Sequence, residues 1–177
     1  MPYLYFEHVP GASTKVLSDL GYALARRLAD VQIVAFGEHG KPYFIANPYC
    51  HFSLSHSGES FALITHDAPI GIDIERLRHA DFKIARRFFT QDEQDYVDGD
   101  NFRFFEIWTK KEAYVKYTGE GLSRPFSSFS VFKLDGLVFE SRIRDGFMIS
   151  ICAERLKERV YLSYRSFQRF NDKKIKS

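Results

Sequence analysis

The chain has 177 residues and a mass of 20.6 kDa, which suits one domain or two small lobes, because domains commonly have about 100–200 residues. Hydrophobic residues make up 45% and charged residues 27%, which indicates a soluble globular protein with a buried core. The formal charge of +2 is too small to drive nucleic-acid binding by charge alone. No nucleic-acid partner is therefore expected.

The cysteines and the amino terminus predict a cytoplasmic protein without a membrane partner. Cys50 and Cys152 are far apart and form no CxxC pair, so two reduced thiols are expected. The first residues have neither the basic segment nor the apolar core of a signal peptide. No stretch reaches the roughly 18 apolar residues that a membrane span needs.

The first part of the chain predicts a strand, a helix and further strands. Residues 3–7 alternate as a strand does, and Ser13 is placed to cap a helix over residues 14–30. Residues 31–36 form a β-branched strand, and irregular surface chain follows over residues 40–48. Turn sequences then separate three extended segments that predict a small antiparallel meander. These segments are residues 51–55, 60–66 and 69–75.

The second half predicts helices followed by strands. Residues 81–89 form a short helix, and the Thr90–Glu93 capping box starts another. Residues 101–117 form a long helix that ends at Gly119. Because strands arrive in runs, the fold class is α+β with mostly antiparallel sheet. The predicted strands are residues 128–134, 137–143, 147–153 and 159–166, and residues 171–177 form a solvated basic tail.

Two acids alternate with isoleucines in the segment 69–75. Asp73 and Glu75 therefore share one face of the predicted strand, and like charges at this spacing repel unless a cation lies between them. Oxygen ligands without nearby thiols favour Mg²⁺ or Mn²⁺ over zinc. An exposed strand face that alternates only for solubility is an equally good interpretation of these two residues.

Two further segments carry polar groups. Glu112 and Lys116 share a helix face, which by default is a surface ion pair, but Trp108 one turn earlier is more typical of a pocket edge. Ser55 and His56 precede a small-residue turn whose backbone N–H groups can cradle phosphate. A Ser/His nucleophile pair is a weak interpretation, because adjacent residues rarely align for proton transfer.

Together these motifs resemble the 4′-phosphopantetheinyl transferases of the surfactin-synthetase-activating type. The resemblance covers roughly residues 37–132, and its most specific elements are the GxDxE and WxxKExxxK patterns. The segments that carry it are Gly40-Lys41-Pro42, Phe52-Ser53-Leu54-Ser55-His56-Ser57-Gly58, Gly71-Ile72-Asp73-Ile74-Glu75, Ala85-Arg86-Arg87-Phe88-Phe89, Trp108-Thr109-Lys110-Lys111-Glu112-Ala113-Tyr114-Val115-Lys116 and Gly119-Glu120-Gly121-Leu122.

The resemblance implies a fold and an activity. The fold would be two similar α+β lobes, residues 1–75 and 76–170, with the active site in the cleft between them and a tail over residues 171–177. The enzyme would move the phosphopantetheine arm of coenzyme A to a serine of an acyl or peptidyl carrier protein, releasing adenosine 3′,5′-bisphosphate. Arg76, Arg78, Arg86 and Arg87 would form a basic patch that docks the acidic carrier.

The resemblance also assigns residues. Asp73, Glu75 and Glu112 would hold Mg²⁺, and Lys116 would reach the pyrophosphate. Glu112 or a bound water would be the catalytic base. Ser55 and His56 would bind phosphate oxygens, and Lys41 with Pro42 would lie against the adenine nucleotide.

The sequence departs from the family at its amino terminus. Family members usually have a longer first segment with basic residues, so this first lobe is expected to be abbreviated, with Lys15 as the substitute for the missing phosphate ligands. Whether the protein is a monomer or a homo-oligomer stays open. Two other interpretations are a Mg²⁺-dependent phosphoester hydrolase that acts on a nucleotide-like substrate and a non-catalytic relative that binds carrier proteins.

Overall fold

The computed structural model describes residues 3–154 and 163–165. The helices of this part of the chain are α1 (Thr14–Ala29), α2 (Phe82–Phe88), α3 (Gln91–Val97) and α4 (Asn101–Thr118). The strands are β1 (Tyr3–His8), β2 (Val34–Phe36), β3 (Pro42–Phe44), β4 (His51–Ser57), β5 (Ser60–His66), β6 (Ile70–Arg76), β7 (Leu137–Arg144), β8 (Phe147–Glu154) and β9 (Ser163–Arg165). Within these residues, no helix is long and apolar enough to cross a membrane.

Two sheets carry most of the strands. One has the order β4-β5-β1-β9 and the other the order β6-β8-β7, while β2 and β3 form a separate hairpin. The pair β1–β9 is parallel, and the other strand pairs are antiparallel. The predicted α+β class with mostly antiparallel sheet is confirmed. The predicted division of the chain after residue 75 stays a prediction.

The two sheets pack face to face, and β6 takes part in the contact. Ile70, Ile72 and Ile74 are buried in one apolar cluster with residues of β1, β5 and β8. Their alternation leaves Gly71, Asp73 and Glu75 on the other face of β6, as the sequence predicts. That second face lies under α4.

Helix α4 is capped at both ends and packs against the sheet along its length. The Asp100 side chain accepts a hydrogen bond from the backbone of Arg103, and Gly119 ends the helix in the left-handed conformation with φ of 81°. The hydroxyl groups of Thr109 and of Ser150 in β8 form a hydrogen bond, with 2.7 Å between the two oxygens. At Gly71, the strand approaches so closely that an added Cβ would collide with the backbone of α4.

The structure corrects three predictions about strands. The meander is wrong in its third strand, because β6 pairs with β8 and not with β5. The segment 40–48 is not wholly irregular, because Pro42–Phe44 pairs with Val34–Phe36. The strand over residues 128–134 is wrong; this chain forms turns there.

Buried charges explain why residues 128–134 form no strand. The buried Lys111 donates to the carbonyl oxygens of Phe126 and Phe129 and pairs with Glu93 at 2.8 Å. The second Glu93 oxygen accepts the backbone N–H of Val131. These backbone groups are therefore hydrogen-bonded to side chains of α3 and α4. They are not free to pair with a neighbouring strand.

Trp108 belongs to the core around α4. Its ring contacts the rings of Phe88, Phe89, Phe104 and Phe126. Trp108 is only partly buried, and the expectation that it marks a pocket edge stays a prediction. Of the last predicted strand, 159–166, only residues 163–165 are described, and the tail 171–177 lies outside the described residues.

Candidate active site

Asp73 lies at the centre of a polar cluster between β4, β6 and α4. It is only 5% exposed, so the interpretation of an exposed strand face that alternates only for solubility does not hold for Asp73. Its Oδ1 accepts hydrogen bonds from Ser55 Oγ and from Lys116 Nζ, each at 2.7 Å. Burial raises the pKa of the Asp73 carboxyl, and Lys116 opposes that rise. Its Oδ2 is buried and has no hydrogen-bond partner among the residues that the structure describes.

Glu75 is held in a similar way one step further along β6. Its Oε2 accepts from Ser57 Oγ at 2.9 Å and from the Arg78 guanidinium at 3.1 Å. Glu75 is therefore tied to both β4 and the chain that follows β6. Arg78 also donates to the carbonyl oxygen of Arg76.

Glu112 is a second carboxylate of the cluster with a raised pKa. Burial raises its pKa to about 7, with further contributions from the nearby charges of Asp73 and Glu75. Lys116 lowers the pKa but pairs with Asp73, so the simple surface pair between Glu112 and Lys116 is not formed. The structure thus brings together the three predicted acids and the predicted lysine.

These residues fit a divalent cation in their chemistry. The unpartnered buried oxygen of Asp73 is costly when ionised, and the donors are all oxygens, which suit Mg²⁺ or Mn²⁺. Among the residues described, however, no three His, Cys, Asp or Glu side chains stand in a ready metal-holding arrangement. The Lys116 ammonium lies at Oδ1 of Asp73 instead. The three-carboxylate ligand set therefore stays a prediction.

Lys41 and Pro42 line a cavity of about 400 Å³ formed by residues 41–45, Pro48 and residues 50–52. The Lys41 ammonium donates to the carbonyl oxygen of Tyr117 at 2.5 Å, near the end of α4 where such oxygens lack helical partners. Burial lowers the Lys41 pKa. Lys41 therefore joins the first half of the chain to α4, and its predicted contact with a nucleotide stays a prediction.

The remaining predicted ligands do not lie together. Ser55 is buried in the cluster, whereas His56 is exposed and projects to the opposite face of β4, where its neighbour Leu54 packs on Gly21 of α1. Lys15 is exposed and pairs with Asp19 at 2.6 Å. The phosphate-binding roles of these residues stay predictions.

Sequence reasoning missed two functions of serines in β4. Ser57 bonds to Glu75, and Ser53 accepts the backbone N–H of Ile72. The available signal was the alternation of Ser53, Ser55 and Ser57, which places all three hydroxyls on one strand face.

Comparison with known proteins identifies the family. The profile of the 4′-phosphopantetheinyl transferase superfamily matches residues 69–168. The chain belongs to this superfamily. The match contains β6, α4 and the acids Asp73, Glu75 and Glu112.

Curated relatives support the surfactin-synthetase-activating type. A 4′-phosphopantetheinyl transferase of Bacillus subtilis is 38% identical over 144 residues, covering 75% of this chain and 64% of the relative. The transferase psf-1 of Bacillus pumilus is 45% identical over 97 residues, covering 52% of this chain and 42% of the relative. Sfp of Bacillus subtilis (strain 168) is 39% identical over 99 residues, covering 53% and 44%. The matches thus span 42% to 64% of the length of these relatives.

Proposed function

We propose that this protein transfers the 4′-phosphopantetheine arm of coenzyme A to a serine of an acyl or peptidyl carrier protein. Adenosine 3′,5′-bisphosphate would be the other product, and the reaction would depend on Mg²⁺ or Mn²⁺. The superfamily match and the relatives named as 4′-phosphopantetheinyl transferases support the reaction class. The structural observation that best supports the proposal is the polar cluster that contains Asp73, Glu112 and Lys116.

The reaction is a phosphoryl-group transfer. The carrier serine oxygen forms a bond to the phosphorus that bears the pantetheine arm, and the phosphoanhydride P–O bond breaks. The bonding pair leaves with adenosine 3′,5′-bisphosphate, and the serine proton passes to a base. The protein must therefore hold the pyrophosphate, balance its charge and accept one proton.

Each residue of the cluster has a part in this proposal. The Lys116 ammonium would bind the pyrophosphate, and its hydrogen bonds to Asp73 and Ser55 set its position. Asp73, Glu75 and Glu112 would hold the divalent cation, which when bound neutralises phosphate charge. In the metal-free protein burial raises the pKa of Glu112 to about 7, so its carboxylate suits a proton acceptor near neutrality when the cation does not engage both of its oxygens. A bound water is the alternative base.

Binding of the two substrates is assigned to neighbouring surfaces. The cavity beside Lys41 and Pro42 is large enough for a nucleotide base, and Lys41 supplies a positive charge at its edge. The four arginines of the proposed basic patch are exposed: Arg76 ends β6, Arg78 follows it, and Arg86 and Arg87 lie in α2. An acidic carrier surface would be attracted to this patch.

The test is the intact mass of an apo carrier protein after incubation with coenzyme A and Mg²⁺. We expect a mass increase of one phosphopantetheine group that EDTA prevents. Lys116→Met should abolish the increase, whereas Lys110→Met, on the same helix but paired with Glu106, should retain it. Equal activity of both variants would contradict the proposal. Release of adenosine 3′,5′-bisphosphate without a carrier would instead indicate a hydrolase, and no turnover with any carrier would indicate a binding protein.

A further inference from the structure

Three serine hydroxyls of β4 bind the edge of β6 in place of a backbone ladder. Ser53, Ser55 and Ser57 accept the N–H groups of Ile72, Ile74 and Arg76 at 3.1, 3.3 and 3.0 Å. A backbone N–H can only donate, so each serine oxygen must be the acceptor, and its own proton is directed elsewhere. Ser55 and Ser57 direct that proton to carboxylates.

The two carboxylates are held in the same pattern. One oxygen of each accepts from a β4 serine and from a cation: Asp73 Oδ1 from Ser55 and Lys116, and Glu75 Oε2 from Ser57 and Arg78. Among the described residues the other oxygen of Asp73 has no hydrogen-bond partner, and the hydrogen bonds of Glu75 both fall on Oε2, which leaves Oε1 outside them. Each carboxylate is thus oriented through one oxygen and keeps the other available.

Ser57 is better suited than Arg78 to set the direction of Glu75. Its hydroxyl is anchored by the Arg76 N–H, whereas the Arg78 side chain is 63% exposed on a long, flexible stem. We propose that Ser57 is a positioning residue, which fixes Oε2 of Glu75 so that Oε1 serves as a ligand of the divalent cation. This inference rests on the proposed function, because it assumes that the cluster binds a cation.

The chain offers a matched control for the test. Ser53 lies on the same strand face and accepts a β6 N–H in the same way, but within residues 3–154 its hydroxyl has no hydrogen bond to a carboxylate. Ser53→Ala therefore removes one bond between β4 and β6 without changing Glu75. Ser57→Ala removes such a bond and also the bond to Glu75. The difference between the two variants isolates the effect on the carboxylate.

The measurement is Mn²⁺ affinity of the full chain, followed by the Mn²⁺ electron paramagnetic resonance signal in the absence of coenzyme A. We expect Ser57→Ala to weaken binding by about 10-fold or more, the usual effect of losing a hydrogen bond to a metal ligand. Ser57→Thr should restore the affinity because it keeps the hydroxyl. Ser53→Ala should bind as the unaltered protein does. Should Ser57→Ala not fold, Ser57→Cys gives the same comparison, since a thiol is a weak donor.

Several results would overturn the inference. Equal weakening by Ser53→Ala and Ser57→Ala would show that loosening of β6 is responsible. Unchanged affinity in Ser57→Ala, or no Mn²⁺ binding by the unaltered protein, would exclude the positioning role. The carrier mass assay decides the proposed function separately, so the two failures are distinguishable.

Discussion

Glu112→Gln should make the metal-free protein more stable to unfolding above neutral pH. Burial and the charges of Asp73 and Glu75 disfavour the ionised form of Glu112 and raise its pKa from 4.5 to about 7. Glutamine has a similar shape but carries no charge. The substitution therefore removes an unfavourable charge from the folded state.

The sign and size of this effect follow from the two pKa values. Because the folded-state pKa is raised, the contribution of Glu112 to stability is full below about pH 4.5 and is lost as the pH rises through about 7. The whole shift corresponds to about 3.4 kcal/mol at about 1.36 kcal/mol per pKa unit. Since Glu112 is only partly buried, solvent screening reduces the expected gain to about 1–3 kcal/mol at pH 8.

Urea unfolding followed by circular dichroism in EDTA, at pH 5 and pH 8, measures this gain. The variant should exceed the unaltered protein clearly at pH 8 and much less at pH 5. Glu38→Gln, at an exposed position, is the control for loss of one surface charge and should change little. A variant no more stable at pH 8, or a gap equal at both pH values, would refute the electrostatic reasoning.

Three other substitutions or conditions test the same site. Gly71→Ala should cost about 1–3 kcal/mol in urea unfolding and most transfer activity, because its Cβ would lie 2.6 Å from the Tyr117 backbone nitrogen. Gly37→Ala, where the nearest atom is 3.6 Å away, is the control. Asp73→Ala should lower transfer at least about 100-fold with unchanged circular dichroism, and near-normal turnover would contradict the assignment. Added salt should raise the apparent KM for the carrier more than that for coenzyme A, whereas a flat response would argue against the basic patch.

Local signals in the sequence predicted the parts of the site that depend on one element. The alternation of β6 places Asp73 and Glu75 on one face, and helical spacing places Glu112 and Lys116 on one face of α4. Gly119 adopts the predicted left-handed cap. These features depend on backbone periodicity and on caps within a few residues, so the sequence alone is sufficient for them.

Contacts between distant segments were not predictable in this way. The pairing of β6 with β8 depends on a strand more than seventy positions later in the chain. No turn sequence between the two strands indicates that they pair. The hydrogen bond from the Lys41 ammonium to the carbonyl oxygen of Tyr117 joins residues far apart in the chain, and no pattern in the sequence indicates it. A lysine in a sequence shows its charge but not which of several oxygen atoms will receive it.

Among the described residues, the basic side chains pair with two of the three carboxylates and leave the third without a counter-charge. Lys116 could have paired with Glu112 within α4, but its ammonium lies at Asp73. Arg78 pairs with Glu75. Glu112 has no ion pair with the described residues and is the member whose pKa reaches about 7. At neutral pH this carboxylate therefore gains from a proton or a metal ion, and the same missing counter-charge underlies both the stability prediction and the proposed cation site.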